Sequence, residues 1–384
     1  MKILSVVGVR PNIMKFAAWN KAVSSFSGEH IEHIVVHSGQ HYDANLFHSI
    51  WQQMNLPTFN YELNISANSH AQQVGLMMIE LENVFLKEKP DWVISIDDVN
   101  TALATAITAK KLNIKLAHIE AGLRSFDNSM PEEINRKIID HLSDLLFVPD
   151  QGSYDQLVKE GINKEAICLC GNFMADTLLD ILPATEKLNT EEILQKKVEF
   201  RIQFPSEWNY ALFTLHRPSN VNNINFVREL IDWLSAKWDY TTYVFWPIHP
   251  GVKKILEDLG EMERLRNICS KSNRLIILEP LDYLEMIHLV SKAAFVVTDS
   301  GGLQEETTIL GKSCITMRWN TERPITLFSN GGTNWLAGAD INRVDELCEV
   351  ALNSERRKCE IPLWNGGAAI RALESLLTNT IVKP

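Results

Sequence analysis

Three glutamates and two arginines stand close together in the chain, between Glu120 and Arg136. They follow an apolar run, 116–119, that is typical of a buried strand. Carboxylates held near one another can have pKa values far enough apart for acid and base catalysis, and arginines beside them can fix their charges or bind a phosphate. Together with Asp98, which follows another apolar run, Glu120 and Glu132 predict a carboxylate-rich reaction centre, although each alone could be a helix cap or an ion-pair partner.

A second cluster, the segment 299–302 with the sequence DSGG, follows the apolar run 295–298. Small residues at the start of a helix let a phosphate approach the backbone N–H groups that the helix leaves unbonded there. Glu305 and Glu306 lie about one turn further on and could accept hydrogen bonds from ribose hydroxyls. The segment predicts a phosphate site; the alternative is an ordinary N-cap with a capping pair.

A third cluster lies near the N-terminus, where Gly8 and Pro11 indicate a turn into a helix. Arg10 and Lys15 fall in the first turns of that helix and could face one anion. The alternative for both is a solvated surface charge.

Other polar residues follow predicted strands, and each has a simpler alternative. His216 could act as an acid, a base or a phosphate donor, or it could be a structural histidine. Gln40 and His41 could line the same site or lie on a loop surface. Arg323 could bind a ligand or form an ion pair with Glu322.

Short apolar runs alternate with segments of helical length along the whole chain. Such continuous runs between helices are typical of parallel strands that are covered on both faces. Two series of runs predict an α/β fold of two Rossmann-like, doubly wound parallel-sheet domains. Because ligands of such sheets bind beyond the carboxyl ends of the strands, we expect the site in a cleft between the two domains. The runs are 3–7, 34–36, 92–96, 116–119, 145–148 and 167–169 in the first series, and 211–215, 242–246, 275–278, 295–297 and 314–317 in the second.

The predicted domain boundary follows Gly171-Asn172. The first domain is then 1–172 and the second 173–365. The remainder, 366–384, begins with a Gly-Gly break and has the pattern of one amphipathic helix.

Composition narrows the class of protein. Lysine and arginine number 37 against 48 aspartate and glutamate, a net charge of −11 that argues against general affinity for nucleic acid or acidic membranes. No run reaches the roughly 20 apolar residues of a membrane span, and the N-terminal apolar run is too short for a signal peptide. The six cysteines have no metal-ligand spacing, so we expect reduced thiols in the cytoplasm.

At this point the chain resembles a known family, the non-hydrolysing UDP-N-acetylglucosamine 2-epimerases, over nearly its whole length. Nine ordered motifs carry the resemblance, and together they make a chance match very improbable. They are GVRPNIMK (8–15), SGQHYD (38–43), DVNTALA (98–104), HIEAGLRSFDNSMPEEINR (118–136), GNFMADTLL (171–179), TLHRPSN (214–220), DSGGLQEE (299–306), GKSCITMRWNTERP (311–324) and NWLAG (334–338).

The resemblance implies a glycosyltransferase-B-like fold whose C-terminal helix crosses back onto the first domain. It implies reversible inversion at C2 of a UDP-linked 2-acetamido sugar, in which UDP leaves, a C1–C2 glycal forms and UDP adds back. It further implies no metal, no redox cofactor and a homodimer that binds a UDP-sugar.

The resemblance also assigns roles to residues of this chain. It makes Asp98, Glu120 and Glu132 the acid/base candidates and gives His216 a supporting role at the diphosphate or the sugar. The predicted substrate-binding residues are Arg10, Lys15, Gln40, His41, Arg136, Ser300, Gly301, Gly302, Glu306 and Arg323, with Glu306 at the ribose and Arg323 at the sugar.

One departure stands out, because Asp97 occupies a position where members of the family usually carry glycine. Four alternatives remain open at this stage. The loop 125–136 is similar to that of relatives acting on UDP-2,3-diacetamido-glucuronic acid, which keeps the chemistry and changes the sugar. The others are a hydrolysing epimerase, a glycosyltransferase of the same fold and a nucleotide-sugar sensor without turnover.

Overall fold

The structure, a computed structural model, describes residues 1–28, 30–39, 44–198, 208–236, 242–272, 274–354 and 358–381. The chain divides into two compact units. The first consists of Met1–Asp180 with Pro362–Pro384, and the second of Ile181–Ile361. The domain bounds at 172 and 365 stay a prediction about independent folding units.

The first unit contains a seven-stranded parallel sheet with the strand order β3-β2-β1-β4-β5-β6-β7. Two of its strands, 92–96 and 145–148, are buried along their whole length, which explains their continuous apolar runs. The strands are β1 (Lys2–Val7), β2 (Glu32–His37), β3 (Tyr61–Glu62), β4 (Trp92–Ile96), β5 (Lys115–Ile119), β6 (Leu145–Val148) and β7 (Ile167–Leu169). The helices are α1 (Arg10–Ser25), α2 (Ala44–Gln53), α3 (His70–Glu88), α4 (Asn100–Lys111), α5 (Pro131–Leu142), α6 (Gln151–Lys159) and α7 (Phe173–Thr185), the last of which runs across the boundary between the units.

The second unit contains a six-stranded parallel sheet with the order β10-β9-β8-β11-β12-β13. The strands are β8 (Asn209–Phe213), β9 (Thr242–Pro247), β10 (Leu275–Leu278), β11 (Phe295–Thr298), β12 (Cys314–Thr316) and β13 (Asn334–Leu336). The helices are α8 (Thr190–Lys196), α9 (Pro218–Val221), α10 (Ile224–Ala236), α11 (Pro250–Asp258), α12 (Glu261–Ser272), α13 (Tyr283–Lys292), α14 (Gly301–Ile309) and α15 (Ile341–Leu352). The expectation of two doubly wound parallel sheets is confirmed.

Each sheet reverses its strand order at one point, between β1 and β4 in the first unit and between β8 and β11 in the second. At such a switch point the loops that follow the two strands turn to opposite faces and leave a crevice at the carboxyl ends. The predicted site residues should therefore gather at these two points, one in each unit.

The C-terminal helix, α16 (Ala368–Ile381), packs on α1 within the first unit, as the resemblance implied. Asp176 in α7 accepts the backbone N–H groups of Ala368 and Ala369, at 3.0 and 2.8 Å, and so caps the start of the helix. Arg371 donates from Nε to the carbonyl of Cys170 at 2.6 Å. These bonds fix the end of the chain beside the last strand of the first sheet.

No helix in the part of the chain that the structure describes is long and apolar enough to cross a membrane.

Candidate active site

The first switch point is built on a close approach between the turn after β1 and α4. A Cβ on Gly8 would lie 2.2 Å from Thr101 Oγ1, so the turn after β1 requires glycine. Asn12 then accepts the backbone N–H groups of Gly8 and Val9 at 3.1 and 3.0 Å, which fixes the start of α1. This helix carries Lys15 to the ends of the neighbouring strands.

Lys15 is buried, with 1% of its surface exposed, and forms ion pairs with two carboxylates. Its ammonium group lies 2.7 Å from Asp97 Oδ2 and is hydrogen-bonded to Glu120 Oε2. Asp97 and Glu120 follow the adjacent strands β4 and β5, and both are buried as well. A buried lysine can stay charged only if it is paired in this way, so the three residues form one ionic unit.

The backbone at both carboxylates is strained. The φ angles of Asp97 and Glu120 are 70° and 72°, in the left-handed region that residues with a Cβ rarely adopt. Aspartate tolerates this region better than most residues, and glycine adopts it without cost. The strain directs both side chains toward Lys15, and strained residues of this kind concentrate at functional sites.

A second ionic group lies beside the first. Arg136 in α5 donates to Asp98 Oδ2 from Nε at 2.8 Å, and its Nη2 lies 2.7 Å from the same oxygen. Its Nη1 donates to Glu133 at 2.7 Å, and Glu133 also accepts the backbone N–H and the hydroxyl of Ser125. Burial alone would raise the pKa of Glu133, but the Ser125 N–H and the Arg136 charge hold that pKa below its usual value. Glu133 therefore stays charged, and it holds the loop after Glu120 as well as Arg136.

Next to these groups lies a charge framework that is buried except at Glu160. His118 contacts Asp140 through Nδ1 at 2.7 Å and the carbonyl of Asp97 through Nε2 at 2.9 Å. Asp140 also pairs with Arg124 at 2.7 Å, and Arg124 pairs with Glu160. Burial alone would raise the pKa of Asp140, but the bond to His118 and the charge of Arg124 hold that pKa below its usual value. The framework supports the strained backbone at Asp97 from behind.

The switch point of the second unit is organised by Asp299, which is completely buried. Its carboxylate accepts the backbone N–H groups of His216 and Arg217 and the side-chain amide of Asn220. It also lies 2.8 Å from Nδ1 of His216. Burial alone would raise the pKa of Asp299, but the bonds from His216 and Arg217 hold that pKa below its usual value.

This arrangement orients the ring of His216. The side chain is 46% exposed, and its Nε2 has no hydrogen-bond partner among the residues that the structure describes. With Nδ1 held by a carboxylate, the neutral ring presents Nε2 as an acceptor, and the protonated ring presents it as a donor. His216 can therefore exchange a proton or donate to an anion.

The helix α14 begins directly after Asp299. Ser300 is its N-cap, and the Ser300 hydroxyl accepts the backbone N–H of Leu303 at 3.4 Å. Ser300 therefore has the capping role that the sequence offered as the alternative to a phosphate site. A Cβ on Gly301 would lie 2.9 Å from Glu322 Oε1 and 3.1 Å from Arg323 Nη1. Glycine thus lets an arginine–glutamate pair approach the start of this helix.

The arginines of this region are themselves held by carboxylates. Arg323 lies 2.8 Å from Glu305 and 2.5 Å from Glu322, and Arg318 pairs with Glu322 at 2.6 Å. The ion pair between Glu322 and Arg323, one of the two alternatives for this arginine, is present, and its contact with the sugar stays a prediction. Glu306 accepts the hydroxyl of Tyr283 at 2.9 Å. Positive groups are therefore fixed within reach of an anion at the start of α14.

The predicted site residues fall into three sets. In the first unit Lys15 and Glu120 are bonded to each other, and Asp98 is bonded to Arg136. Two others, Arg10 as the first residue of α1 and Glu132 in the first turn of α5, are partly exposed. In the second unit His216, Ser300, Gly301, Gly302, Glu306 and Arg323 lie at or near the start of α14. Gln40 and His41 lie outside the described residues.

The residues of these networks that sequence reasoning missed include His118, Asp140 and Arg318. The histidine lies inside a strand and the aspartate in the last turn of α5, where local pattern gives no sign of a partner 22 residues away. Arg318 lies two residues beyond the end of β12, so the strand-end rule could have found it.

The described residues contain no group of three or more histidine, cysteine, aspartate or glutamate side chains that could hold a metal ion.

Comparison with known proteins gives the same answer from sequence and from structure. The sequence profile of a family described as UDP-N-acetylglucosamine 2-epimerase matches residues 25–377. A UDP-N-acetylglucosamine 2-epimerase of Methanococcus maripaludis is 40% identical over 366 residues, covering 95% of this chain and 93% of that protein. A UDP-2,3-diacetamido-2,3-dideoxy-D-glucuronate 2-epimerase of Pseudomonas aeruginosa is 35% identical over 371 residues, covering 96% and 97%.

Two solved structures extend the comparison. The crystal structure of the Methanocaldococcus jannaschii UDP-GlcNAc 2-epimerase in complex with UDP-GlcNAc and UDP has a TM-score of 0.84 and 36% identity, covering 98% of this chain and 100% of that one. A lipopolysaccharide outer core galactosyltransferase, 12% identical, has a TM-score of 0.51 over 99% and 100% of the two chains. That likeness concerns the fold alone, and it confirms the glycosyltransferase-B-like architecture. Since the family profile and a relative at 40% identity each match nearly the whole chain, the chain belongs to the UDP-N-acetylglucosamine 2-epimerase family, a family of isomerases.

Proposed function

We propose that this chain catalyses the reversible inversion of C2 in UDP-N-acetylglucosamine, which gives UDP-N-acetylmannosamine. The observation that carries the proposal is the cluster of carboxylates at the ends of adjacent strands of the first sheet. Glu120 is held there by Lys15 and Asp98 by Arg136. Family membership supplies the substrate class, and this cluster supplies groups suited to moving a proton.

The reaction begins with loss of UDP. No carbonyl acidifies the C2 proton, so the C1–O bond must break first or at the same time, and its electron pair leaves with the β-phosphate. A base then takes the C2 proton, and the electrons of the C–H bond form the C1–C2 double bond of a glycal. UDP adds back to C1 while an acid gives a proton to the opposite face of C2.

This sequence makes two demands on the protein. Removing and returning a proton on opposite faces requires two acid/base groups in different positions. Positive charge develops on the sugar while negative charge develops on the departing diphosphate, so fixed charges of both signs are needed.

The first unit supports the proton transfers. We assign the acid/base roles to Asp98, Glu120 and Glu132. Lys15 and Arg136 control the charge of two of these groups through direct ion pairs. Both cations are bonded to carboxylates, so if they also bind the phosphates of UDP, each must contact its carboxylate and the ligand at the same time.

The second unit contains most of the groups that we assign to binding the nucleotide. We assign the diphosphate to the start of α14, through Ser300, Gly301 and Gly302, with His216 beside it. A helix N-terminus favours an anion, and the half-exposed His216 ring can donate to one. Glu306 is assigned to the ribose and Arg323 to the sugar, while Arg10, Gln40 and His41 complete the proposed substrate contacts.

Exchange of the C2 proton with solvent tests the proposal. Purified protein is incubated with UDP-N-acetylglucosamine in D₂O, and the sugar is followed by NMR. We expect deuterium to enter at C2 and the manno epimer to appear still linked to UDP. Release of free N-acetylmannosamine with UDP would replace the proposal by a hydrolysing epimerase. Transfer of the sugar to an acceptor without exchange would replace it by a glycosyltransferase, and binding without any exchange by a sensor.

A second candidate substrate is UDP-2,3-diacetamido-glucuronic acid. It is favoured by the 35% identity to a relative named for that sugar and by the similar loop 125–136. The chemistry at C1 and C2 is the same, so the two substrates are compared by their kcat/KM values for C2 exchange. A higher value for the diacetamido uronate would move the assignment to that sugar.

Two features of the wider setting complete the proposal. We infer a homodimer from the family and a cytoplasmic location from the six cysteines, none of which forms a disulfide among the described residues. Light scattering on the purified protein tests the first inference.

A further inference from the structure

Lys15 carries one positive charge and is paired with two carboxylates. The ammonium group is bonded to Asp97 and to Glu120, so the three buried residues would carry a net charge of −1 with both carboxylates ionised. Separating a buried charge from its partner is costly. Either carboxylate could therefore take a proton while Lys15 kept one charged partner.

The contacts of Asp97 extend beyond Lys15. Asp97 is held on several sides, since its backbone N–H donates to Ile119 and its carbonyl is bonded to His118 Nε2. The same Oδ2 that faces Lys15 also accepts the side-chain amide of Asn12 at 3.3 Å. An amide donor favours the ionised form of the carboxylate that accepts it. Asp97 is thus the fixed anion of the pair.

We propose that Asp97 is a positioning residue that keeps Lys15 charged and in place while Glu120 takes up and releases a proton. The inference rests on the proposed function, in which Glu120 is one of the acid/base groups. Without the charge of Asp97, the ion pair with Lys15 would favour Glu120 as a carboxylate. With that charge, the like-charged neighbour favours protonation of Glu120 and Lys15 keeps its partner.

The charged groups that surround Asp97 allow this assignment. Lys15 faces it from α1, and Glu120 faces the same cation from the end of β5. His118 in β5 is paired with Asp140 of α5. Asp98, the residue after Asp97, is paired with Arg136 of α5. Among the described residues of the first unit, Lys15 is thus the cation bonded to both Asp97 and Glu120.

The backbone supports a role for the side chain. Asp97 lies at a φ of 70°, where glycine would be free of strain and aspartate is not. A position that needs only the turn is served better by glycine. The cost of an aspartate here is consistent with a use for its charge.

The test removes the charge without changing the backbone preference. Asp97→Asn keeps the size of the side chain and tolerates the same φ, Asp97→Gly removes the strain as well, and Asp97→Glu keeps a charge. Asp155→Asn, at an exposed position on α6 of the same unit, removes an equal charge outside these ion pairs and serves as the matched control. Thermal melting confirms that each variant is folded.

Two readouts are compared across these variants. The first is the pH titration of Glu120 by NMR of carboxyl-¹³C glutamate, with the signal assigned by its loss in Glu120→Gln. The second is the pH profile of kcat/KM for C2 exchange. For Asp97→Asn and Asp97→Gly we expect the Glu120 midpoint and the acidic limb of the profile to move to lower pH by about one unit or more. Asp155→Asn should overlay the wild type, and Asp97→Glu should lie nearer the wild type than Asp97→Asn does.

The outcomes separate this inference from the proposed function. A Glu120 midpoint that does not change in Asp97→Asn overturns the role of Asp97, whatever the activity. A midpoint that moves in a protein without C2 exchange on either sugar keeps the coupling and overturns the proposed function. A loss of melting temperature in Asp97→Asn with an unchanged titration would make Asp97 a purely structural residue.

Discussion

In each unit an aspartate directly follows one of the two strands at the switch point. The two aspartates bind different groups. Asp97 follows β4 in the first sheet, and Asp299 follows β11 at the corresponding place in the second. Asp97 holds a charged side chain, that of Lys15, whereas Asp299 holds two backbone N–H groups and the ring of His216. One topology therefore presents paired charges in one unit and an oriented ring beside a helix N-terminus in the other.

The backbone conformation at the ends of the strands also differs between the two units. Within the described ranges, every non-glycine residue with a positive φ lies in the first unit, and two of them are Asp97 and Glu120. The second unit makes the corresponding turn with Ser300 at an ordinary φ of −78° and with two glycines. In the first unit the two strained residues place their carboxylates against the same partner, Lys15, and this arrangement suits proton transfer. An unstrained turn of small residues leaves room for a phosphate.

The largest effect should come from Glu120→Gln, which keeps the size of the side chain and removes its ability to accept a proton. Lys15 keeps Asp97 as its partner, so the variant should fold. We expect C2 exchange to fall by a factor of about 10² to 10⁴, while the affinity for UDP stays that of the wild type. Deuterium uptake by NMR and calorimetric titration with UDP measure the two quantities.

The matched control is Glu165→Gln, the same change at an exposed position of the same unit. It should leave both quantities unchanged. If Glu120→Gln kept its exchange rate and lost affinity for UDP, the division of labour between the units would be wrong.

The next effect concerns the charge framework behind Asp97. Asp140 is fully buried between His118 and Arg124, and Asp140→Asn leaves the arginine with Glu160 as its remaining carboxylate partner in this framework. We expect the free energy of unfolding to fall by about 3 kcal/mol in urea at neutral pH. Asp180→Asn, which breaks the exposed pair with Lys21, should cost no more than about 1 kcal/mol.

The pH dependence gives this prediction its sign. Because the pKa of Asp140 is lowered in the folded protein, its contribution is fully present above the pKa of an unfolded aspartate, near 3.9, and is lost as the pH falls through the folded value. The difference between wild type and Asp140→Asn should therefore shrink in acid. A constant difference from neutral pH down to pH 3 would show that the charge of Asp140 is not what stabilises the framework.

Much of this arrangement could be predicted from sequence, because buried parallel strands leave a strong local signal. The runs 92–96, 145–148, 167–169 and 275–278 are strands with those same limits. The rule that ligands bind at the carboxyl ends of strands then selected Asp98, Glu120 and His216 without any knowledge of strand order.

The signal fails where an element is short or polar. Strands β3 and β13, at the edges of their sheets, have two and three residues and were not expected. In β13 the buried residue is Asn334, whose amide donates to the carbonyls of Gln304 and Thr326. When the buried residue of a strand is polar and is held by hydrogen bonds, the sequence has no apolar run there. The strand then cannot be predicted from hydrophobic pattern.

Pairing over long distances was also beyond the sequence. Lys15 was expected to face a phosphate, and the structure buries it between Asp97 and Glu120, which are 82 and 105 residues further along the chain. Its contact with phosphate stays a prediction. Nothing in the local sequence of α1 distinguishes a lysine that reaches solvent from one that reaches the end of a neighbouring strand.

A smaller effect should come from the start of α14. In Gly301→Ala the new methyl group would meet Glu322 and Arg323, so these side chains must move away from the helix N-terminus. We expect the affinity for UDP to fall about tenfold, roughly 1.4 kcal/mol, with little change in melting temperature. Calorimetric titration with UDP measures the loss.

Gly302→Ala separates displaced protein atoms from a blocked ligand. Among the described residues its methyl group would meet Ser300 Oγ alone, at 3.9 Å, which is ordinary contact. If Gly302→Ala binds UDP as the wild type does, the loss in Gly301→Ala comes from the moved pair. If both variants bind UDP normally, the start of α14 is not the diphosphate site, and the contrast between the two units loses its second half.

The smallest effect distinguishes a cap from a binding group. Ser300→Ala removes the N-cap of α14 and should cost about 1 kcal/mol of stability. Asp150→Ala removes the N-cap of α6 in the first unit, where the side chain accepts the N–H of Ser153 at 2.9 Å, and should cost a similar amount. The two changes are matched in their effect on a helix and differ in whether the helix faces the proposed diphosphate. Ser300→Ala should therefore also weaken UDP binding several-fold, whereas Asp150→Ala should leave it unchanged, as measured by urea unfolding and calorimetry on the same samples. Equal stability losses with equal, unchanged affinities would reduce Ser300 to a capping residue, and the anion site of the second unit would then depend on backbone N–H groups and His216.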